Sequence, residues 1–165
     1  MTPSSRFLVR KMLRSIDFSK AKVLVELGPG TGCFTKEILK QMLPDAHLMV
    51  FETNKAFCDS LEQKMPDARM HIVNDSAEKI GEYLEKFHLG QADIVLSGLP
   101  LTNIPEPIKS NIVSESARCL KPEGIYTQYQ YLTTAKKVLK KFFKNVKVRW
   151  TPANFPPAFY YVCTN

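Results

Sequence analysis

The stretch Val23–Thr35 reads VLVELGPGTGCFT, and it decides the fold. Val23, Leu24 and Val25 form a short apolar run of the kind that suits a strand buried on both faces. Glu26 and Leu27 close that strand. Gly28, Gly30 and Gly32 then stand at alternate positions, before a helical pattern begins near Phe34. A strand that turns on glycines into a helix brings bare backbone N–H groups and a helix N-terminus close to a ligand. Glycines after a strand also serve as plain turn formers. The spacing narrows the choice. A dinucleotide fingerprint is G-x-G-x-x-G, whereas this run is Gly28-Pro29-Gly30-Thr31-Gly32.

Outward from this stretch, strand and helix patterns alternate. On the N-terminal side, Thr2-Pro3-Ser4-Ser5 is a helix-start signal. Leu8, Val9, Met12, Leu13 and Ile16 follow at helical spacing, with Arg6, Arg10, Lys11 and Arg14 on the other face. The apolar stripe fits a helix packed on a sheet, and the basic face fits contact with a membrane surface. Residues 1–17 can do both with different faces. Asp17–Lys22 leads into the first strand.

On the C-terminal side, Thr35–Met42 reads as a helix ended by Pro44-Asp45, and His47–Phe51 as a second strand. Lys55–Met65 is helical up to Pro66-Asp67, Met70–Val73 is a third strand, and Ala77–Phe87 is a charged helix with Gly90 at its exit. Ala92–Leu96 is a fourth strand. Thr102–Pro107, interrupted by two prolines, is a loop. Ile108–Cys119 is helical, Leu120–Gly124 a turn, Ile125–Tyr131 a fifth strand and Thr133–Phe143 a basic helix. Val146–Trp150 and Phe159–Cys163 form a closing strand pair. Five alternations and a hairpin predict an α/β, doubly wound sheet in one domain over residues 1–165. Ligands in such sheets sit outside the carboxyl ends of the strands.

Composition bounds the function classes. A chain of 165 residues with 44% hydrophobic content is ordinary for one globular domain and excludes a disordered chain. No apolar run approaches the ~20 residues of a membrane span, and the N-terminus lacks the apolar core of a secretion signal. The formal charge of +7 favours anionic partners: nucleic acid, anionic lipid or phosphorylated small molecules. Lys136, Lys137, Lys140, Lys141, Lys144 and Lys147 form the densest charge run; a solvated helix face is its default reading. Cys33, Cys58, Cys119 and Cys163 lie far apart, which fits free thiols in a reducing cytoplasm. His47, His71 and His88 are equally scattered, so no structural zinc is expected.

The polar signals fall at strand ends. Glu52 closes the second strand, 24 residues after Gly28, where a carboxylate can accept from both hydroxyls of a ribose. Asp75-Ser76 follows the third strand, where an Asx turn or helix cap is an equal reading. Ser97-Gly98-Leu99-Pro100-Leu101 follows the fourth. No His–Asp or Cys–His pair stands out as a base.

The E-x-G-P-G-T-G form at Glu26–Gly32 resembles the first motif of class I S-adenosylmethionine-dependent methyltransferases. Many amino-methylating members carry an Asn-Leu-Pro-Tyr or related motif after the fourth strand. There a side-chain amide and a backbone carbonyl accept from the amine, and the aromatic packs on a planar base. Here the Asn position is Gly98 and the aromatic position Leu101. A nucleobase loses both partners in such a site, whereas a flexible primary amine needs only backbone carbonyls.

With its neighbours that stretch is similar to the bacterial phospholipid N-methyltransferases, relatives of the ribosomal RNA adenine dimethylases. The resemblance rests on VELGPGTG at Val25–Gly32, SGLPL at Ser97–Leu101, TPSS at Thr2–Ser5 and NFPPA at Asn154–Ala158. It runs over nearly the whole chain. It implies a Rossmann-like sheet of about seven strands in the order 3-2-1-4-5-7-6, the last strand antiparallel, with helices on both faces. It implies S-adenosyl-L-methionine as cofactor, S-adenosyl-L-homocysteine as product, and the amine of a phosphatidylethanolamine-like phospholipid as acceptor.

On the matching positions, Glu26, Gly28, Gly30, Gly32, Glu52, Thr53, Asp75, Ser76 and Ser97 belong to the cofactor. Gly98, Leu99 and Tyr131 belong to the reacting amine and head group. Pro100, Gln128 and Asn154 belong to the substrate, with Pro156-Pro157 on one wall. A core aromatic is nearly as good a reading of Tyr131. The expected location is cytoplasmic, peripheral on the inner face of an anionic membrane. Two rival readings remain: a nucleic-acid N-methyltransferase of the adenine-dimethylase type, and a cofactor- or membrane-binding module without turnover.

Overall fold

A computed structural model describes residues 6–130, 135–151 and 158–165. The expectations placed on Thr2–Ser5, Tyr131, Asn154 and Pro156-Pro157 lie outside those residues. The described elements are α1 (Arg6–Leu13), β1 (Val23–Leu27), α2 (Cys33–Gln41), β2 (His47–Phe51), α3 (Lys55–Lys64), β3 (Met70–Val73), α4 (Ile80–Lys86), β4 (Ala92–Ser97), α5 (Ile108–Cys119), β5 (Leu120–Gln130), α6 (Ala135–Phe142), β6 (Asn145–Thr151) and β7 (Ala158–Thr164).

The strands form one sheet in the order β3-β2-β1-β4-β5-β7-β6, as the resemblance implied. Strands β1 to β5 pair in parallel. β7 lies between β5 and β6 and is antiparallel to both. All five residues of β1 are buried, because it is central and covered on both faces. Side chains alternate along it. Val23, Val25 and Leu27 face a layer of α4, α5 and α6, through residues such as Leu84, Ile112 and Leu139. Leu24 and Glu26 face the α1, α2 and α3 side, where Met12, Phe34, Ile38 and Leu61 are buried.

Helix α1 shows which of its faces is committed. Val9, Met12, Leu13 and, just beyond it, Ile16 are in the core, while Arg10 and Arg14 are exposed. From Val9 onward the apolar stripe is spent on the sheet, with Arg10 and Arg14 on the outward face. Among the described residues no helix is long and apolar enough to cross a membrane.

Two local expectations are corrected. The helix expected over 77–87 is a 3-10 turn, Ala77–Lys79, followed by α4; Ser76 caps the turn by accepting from the Glu78 amide at 3.3 Å. Leu120–Gly124 is not a separate turn. Ala92 pairs with Leu120 and Ile94 with Ile125, so β5 starts at Leu120 and the exposed Pro122 and Glu123 lie in a bulge that absorbs the extra length. Within the proline-broken loop, Leu101–Asn103 closes one 3-10 turn.

Long-range polar contacts hold the frame in register. At the amino ends of the strands, Asp93 accepts from the Lys22 and Val23 amides, each at 2.9 Å, and from the Lys121 ammonium at 2.7 Å. Arg69 donates to the Leu39, Met42 and Leu43 carbonyls at 2.9–3.3 Å, satisfying the end of α2 that lacks intrahelical donors. The order of the sheet reverses between β1 and β4, the switch point at whose carboxyl ends such sheets bind ligands.

Candidate active site

The glycine loop is tied to both neighbours of β1. Gly28 donates to the Phe51 carbonyl at 2.9 Å, and Gly98 donates to the Leu27 carbonyl at 2.8 Å. The first glycine motif and the SGLPL turn therefore meet at the switch point. Gly28 has a φ of +67°, and a Cβ there would stand 2.6 Å from Cδ2 of Leu99. A Cβ on Gly98 would stand 3.0 Å from the Gly28 carbonyl oxygen. A side chain at position 98 would therefore crowd the glycine loop. Gly30 faces open space, whereas a Cβ on Gly32 would run into Leu61 and Met65 of the α3 region. The three glycines thus divide into one under the Ser97–Leu101 turn, one facing open space and one against the core.

Gly32 also stands at the N-cap of α2 without a side chain to cap it. The first N–H groups of α2 are left to a ligand or water, at the positive end of the helix. Beneath them Glu26 is 1% exposed, and among the described residues neither carboxylate oxygen has a hydrogen-bond partner. Burial pushes its pKa up to about 7; the Thr35 hydroxyl and amide are close enough to act in the opposite direction but complete no bond with it. Thr35 Oγ1 is itself buried without a partner. Two orphaned polar groups under a glycine loop are costly unless something else completes them.

At the end of β2, Oε1 of Glu52 accepts from the Asn54 amide at 2.8 Å, and no donor among the described residues reaches Oε2. The Glu52 and Thr53 carbonyls receive the Asn74 side-chain amide at 2.9 and 3.0 Å, so backbone rather than carboxylate holds this corner. Thr53 is exposed. Asp75 is more heavily engaged. Its oxygens accept from the Ser76 amide at 2.7 Å, the Tyr83 hydroxyl at 2.9 Å and the Lys79 ammonium at 3.0 Å. The Lys79 contact is the largest of the effects that hold its pKa below the usual carboxylate range, ahead of the Ser76 amide and Tyr83.

The Ser97–Leu101 turn is held from behind by β5. Three donors converge on the Leu99 carbonyl: the Leu101 amide at 2.9 Å, Nε2 of Gln128 at 2.9 Å and Nε2 of Gln130 at 2.8 Å. The Gln128 amide also reaches the Tyr129 carbonyl at 2.9 Å, and its Oε1 accepts from the Tyr126 hydroxyl at 2.5 Å. Ser97 Oγ accepts from the Leu99 amide at 3.3 Å. Ser97, Tyr126 and Gln128 are fully buried and Gln130 nearly so. Gln128, expected beside the substrate, is instead a buried brace. A carbonyl offers two lone pairs, so three existing donors leave the Leu99 carbonyl no capacity to receive an amine. Gly98 and Pro100 are half-buried at the turn, and Leu101 is buried.

Gln130, Tyr126 and Thr35 escaped the reading of the sequence. For the first two a signal existed: in YTQYQ at Tyr126–Gln130, alternation puts Tyr126, Gln128 and Gln130 on one face, and two glutamines inside an otherwise apolar strand need buried partners.

A glycine cradle at a switch point, an orphaned carboxyl and hydroxyl beneath it and a β4 turn above it are joined by a match in sequence. The family model for ribosomal RNA adenine dimethylase matches residues 4–149. The chain belongs to that family. This family member is an S-adenosylmethionine-dependent N-methyltransferase. Over 165 residues it is 31% identical to an ornithine lipid N-methyltransferase of Singulisphaera acidiphila, covering 99% of this chain and 86% of the relative. In fold it is similar to the N-methyltransferase NodS of Bradyrhizobium japonicum in complex with S-adenosyl-l-homocysteine, with a TM-score of 0.76 and 10% identity over 97% of this chain and 85% of that one. It is also similar to an rRNA methylase of Streptococcus thermophilus, with a TM-score of 0.72 and 12% identity over 100% and 98% of the two chains.

Proposed function

We propose that this family member methylates the primary amine of a phospholipid head group, phosphatidylethanolamine or a close analogue, and that residues 1–165 act as one catalytic domain. The observation that carries this reading is the acceptor turn. Gly98 has no side chain to pair with a base edge, and Leu101 is a buried aliphatic residue rather than a stacking aromatic. A planar adenine needs both; a flexible amine needs neither. The lipid-acting relative, aligned along almost the whole chain, supports the same acceptor class.

The residues present fit S-adenosylmethionine, which supplies an electrophilic methyl group on a sulfonium. We assign the Gly28–Gly30 backbone to the cofactor's methionine end, with Glu26 offering a buried carboxylate to its ammonium and the uncapped start of α2 offering N–H groups to its carboxylate. The free oxygen of Glu52, beside Thr53, suits the ribose hydroxyls. Asp75 and Ser76 suit the adenine side, with Asp75 already shaped by Lys79 and Tyr83. Ser97 fixes the turn that separates the two ligands.

For the acceptor, the saturated Leu99 carbonyl shifts the role of amine acceptor to the Gly98 carbonyl one residue earlier. Leu99 then shields the reacting atoms with its side chain over Gly28, and Pro100 limits the turn's motion. Transfer consumes a neutral amine and releases one proton, for which water suffices as base; placement near the methyl carbon supplies most of the acceleration. The exposed Arg10 and Arg14 of α1 and the lysines of α6 give this protein a means of peripheral contact with an anionic bilayer, at ~1 kcal/mol per basic residue near the surface.

The test is to incubate the protein with methyl-labelled S-adenosylmethionine and, in separate arms, phosphatidylethanolamine vesicles, ornithine-lipid vesicles and unmodified small-subunit ribosomal RNA. Label in the phosphatidylethanolamine arm is expected. Label only in RNA overturns the lipid assignment, and label only in ornithine lipid replaces the phospholipid head group with an amino-acid one.

A further inference from the structure

A cleft of about 410 Å³ opens between the Leu101 turn, the start of α5 and α6. Its size falls in the range of small-molecule sites. Leu101, Ala135 and Val138, all buried, form an apolar floor. Lys109, Lys137 and Lys141 form the rim. Lys137 and Lys141 are one helical turn apart, so their ammonium groups stand on one side of α6, with Lys109 opposite on α5. The acid on this rim is Glu106, which pairs with Lys109 at 3.4 Å while itself half exposed. Among the described lining residues, three cations against one carboxylate leave the cleft with an uncompensated positive charge over an apolar base.

We propose that this cleft holds the phosphodiester of a glycerophospholipid, with the rim lysines on the phosphate oxygens and the start of the acyl-bearing glycerol on the floor. This proposal rests on the lipid-amine reading of the active site and deepens it. The connection is spatial. Leu101 lines the cleft and stands three residues after Gly98, a chain reach of at most about 10 Å. An ethanolamine nitrogen is only two methylenes from its phosphate oxygen, so a head group held by the lysines can present its amine at the β4 turn. A free inorganic anion satisfies the rim but leaves the floor unused. An extended nucleic acid backbone satisfies the rim at many points but buries nothing on it.

The test uses the full chain and direct binding. Dihexanoyl-phosphatidylglycerol, inorganic phosphate and a single-stranded RNA oligonucleotide are titrated separately by calorimetry into the wild type, a Lys137→Ala/Lys141→Ala variant and a Lys144→Ala control outside the cleft. The expected result is that the lipid binds wild type and control alike, that the double variant weakens it tenfold or more, and that inorganic phosphate binds far more weakly than the lipid. In turnover with phosphatidylethanolamine micelles, the double variant raises KM for lipid while kcat and the KM for S-adenosylmethionine stay unchanged. Lipid affinity unchanged in the double variant overturns the proposal. So does phosphate binding as tightly as the lipid, and so does a loss of affinity confined to RNA. Because lipid binding is read without methyl transfer, a failed methylation assay overturns the proposed reaction and leaves this binding result legible.

Discussion

Glu26→Gln changes one atom type in the most deeply buried acid of the site, and its effect on stability follows from its surroundings. The wild-type carboxyl is buried without a hydrogen-bond partner among the described residues, and its pKa stands at about 7 against an ordinary value of 4.5. The folded protein therefore keeps this proton to a higher pH than the unfolded chain. The stability associated with the neutral form is complete below pH 4.5, declines as the pH rises, and is lost once the pH passes about 7. At 1.36 kcal/mol per pH unit, the full effect is about 3 kcal/mol, of which ~2.5 kcal/mol falls between pH 5 and pH 8. Glutamine has nearly the same shape and does not ionise. Its stability relative to the wild type should therefore rise by that amount over this interval, or roughly 5–10 °C in Tm. Urea unfolding of both proteins at pH 5, 6, 7 and 8 measures it, and titrations elsewhere in the chain cancel in the difference. A difference that is flat with pH refutes the reasoning, whatever its sign, because it shows that Glu26 is not held neutral by burial.

Other perturbations separate the parts of the site. Glu52→Ala should weaken S-adenosylmethionine binding about tenfold or more in calorimetry, near 1.4 kcal/mol. Its Tm should hold, since backbone carbonyls carry the contacts of Asn74. Gly28→Ala combines a left-handed φ with a collision against Leu99, whereas Gly30→Ala meets nothing within 4 Å. Both should lose about 1–2 kcal/mol of stability to backbone strain, but Gly28→Ala should also depress kcat by displacing the acceptor turn. Gln128→Leu should cost ~2–3 kcal/mol by stranding the Tyr126 hydroxyl, visible as a lowered Tm. Gln130→Leu leaves two donors on the Leu99 carbonyl and should cost only about 1 kcal/mol. Equal melting points for the two glutamine variants contradict the hydrogen-bond assignment.

Much of this protein is determined by short-range pattern. The apolar run Val23–Val25, its glycine loop and the periodic segments after it define alternating strands and helices, because burial on two faces and helical spacing are written in neighbouring residues. The cofactor end is equally local, since a loop that exposes backbone needs glycines at fixed steps. Contacts between distant residues decided the rest. The apolar stripe of α1 is core because the sheet is beside it, and Glu26 is neutral at acid pH because helices close over it. The Leu99 carbonyl is occupied because β5 brings amides from 29 and 31 residues away, and a side chain at position 98 would crowd the glycine loop. Solvent exclusion and close approach are properties of the assembled sheet, which no local window of residues contains.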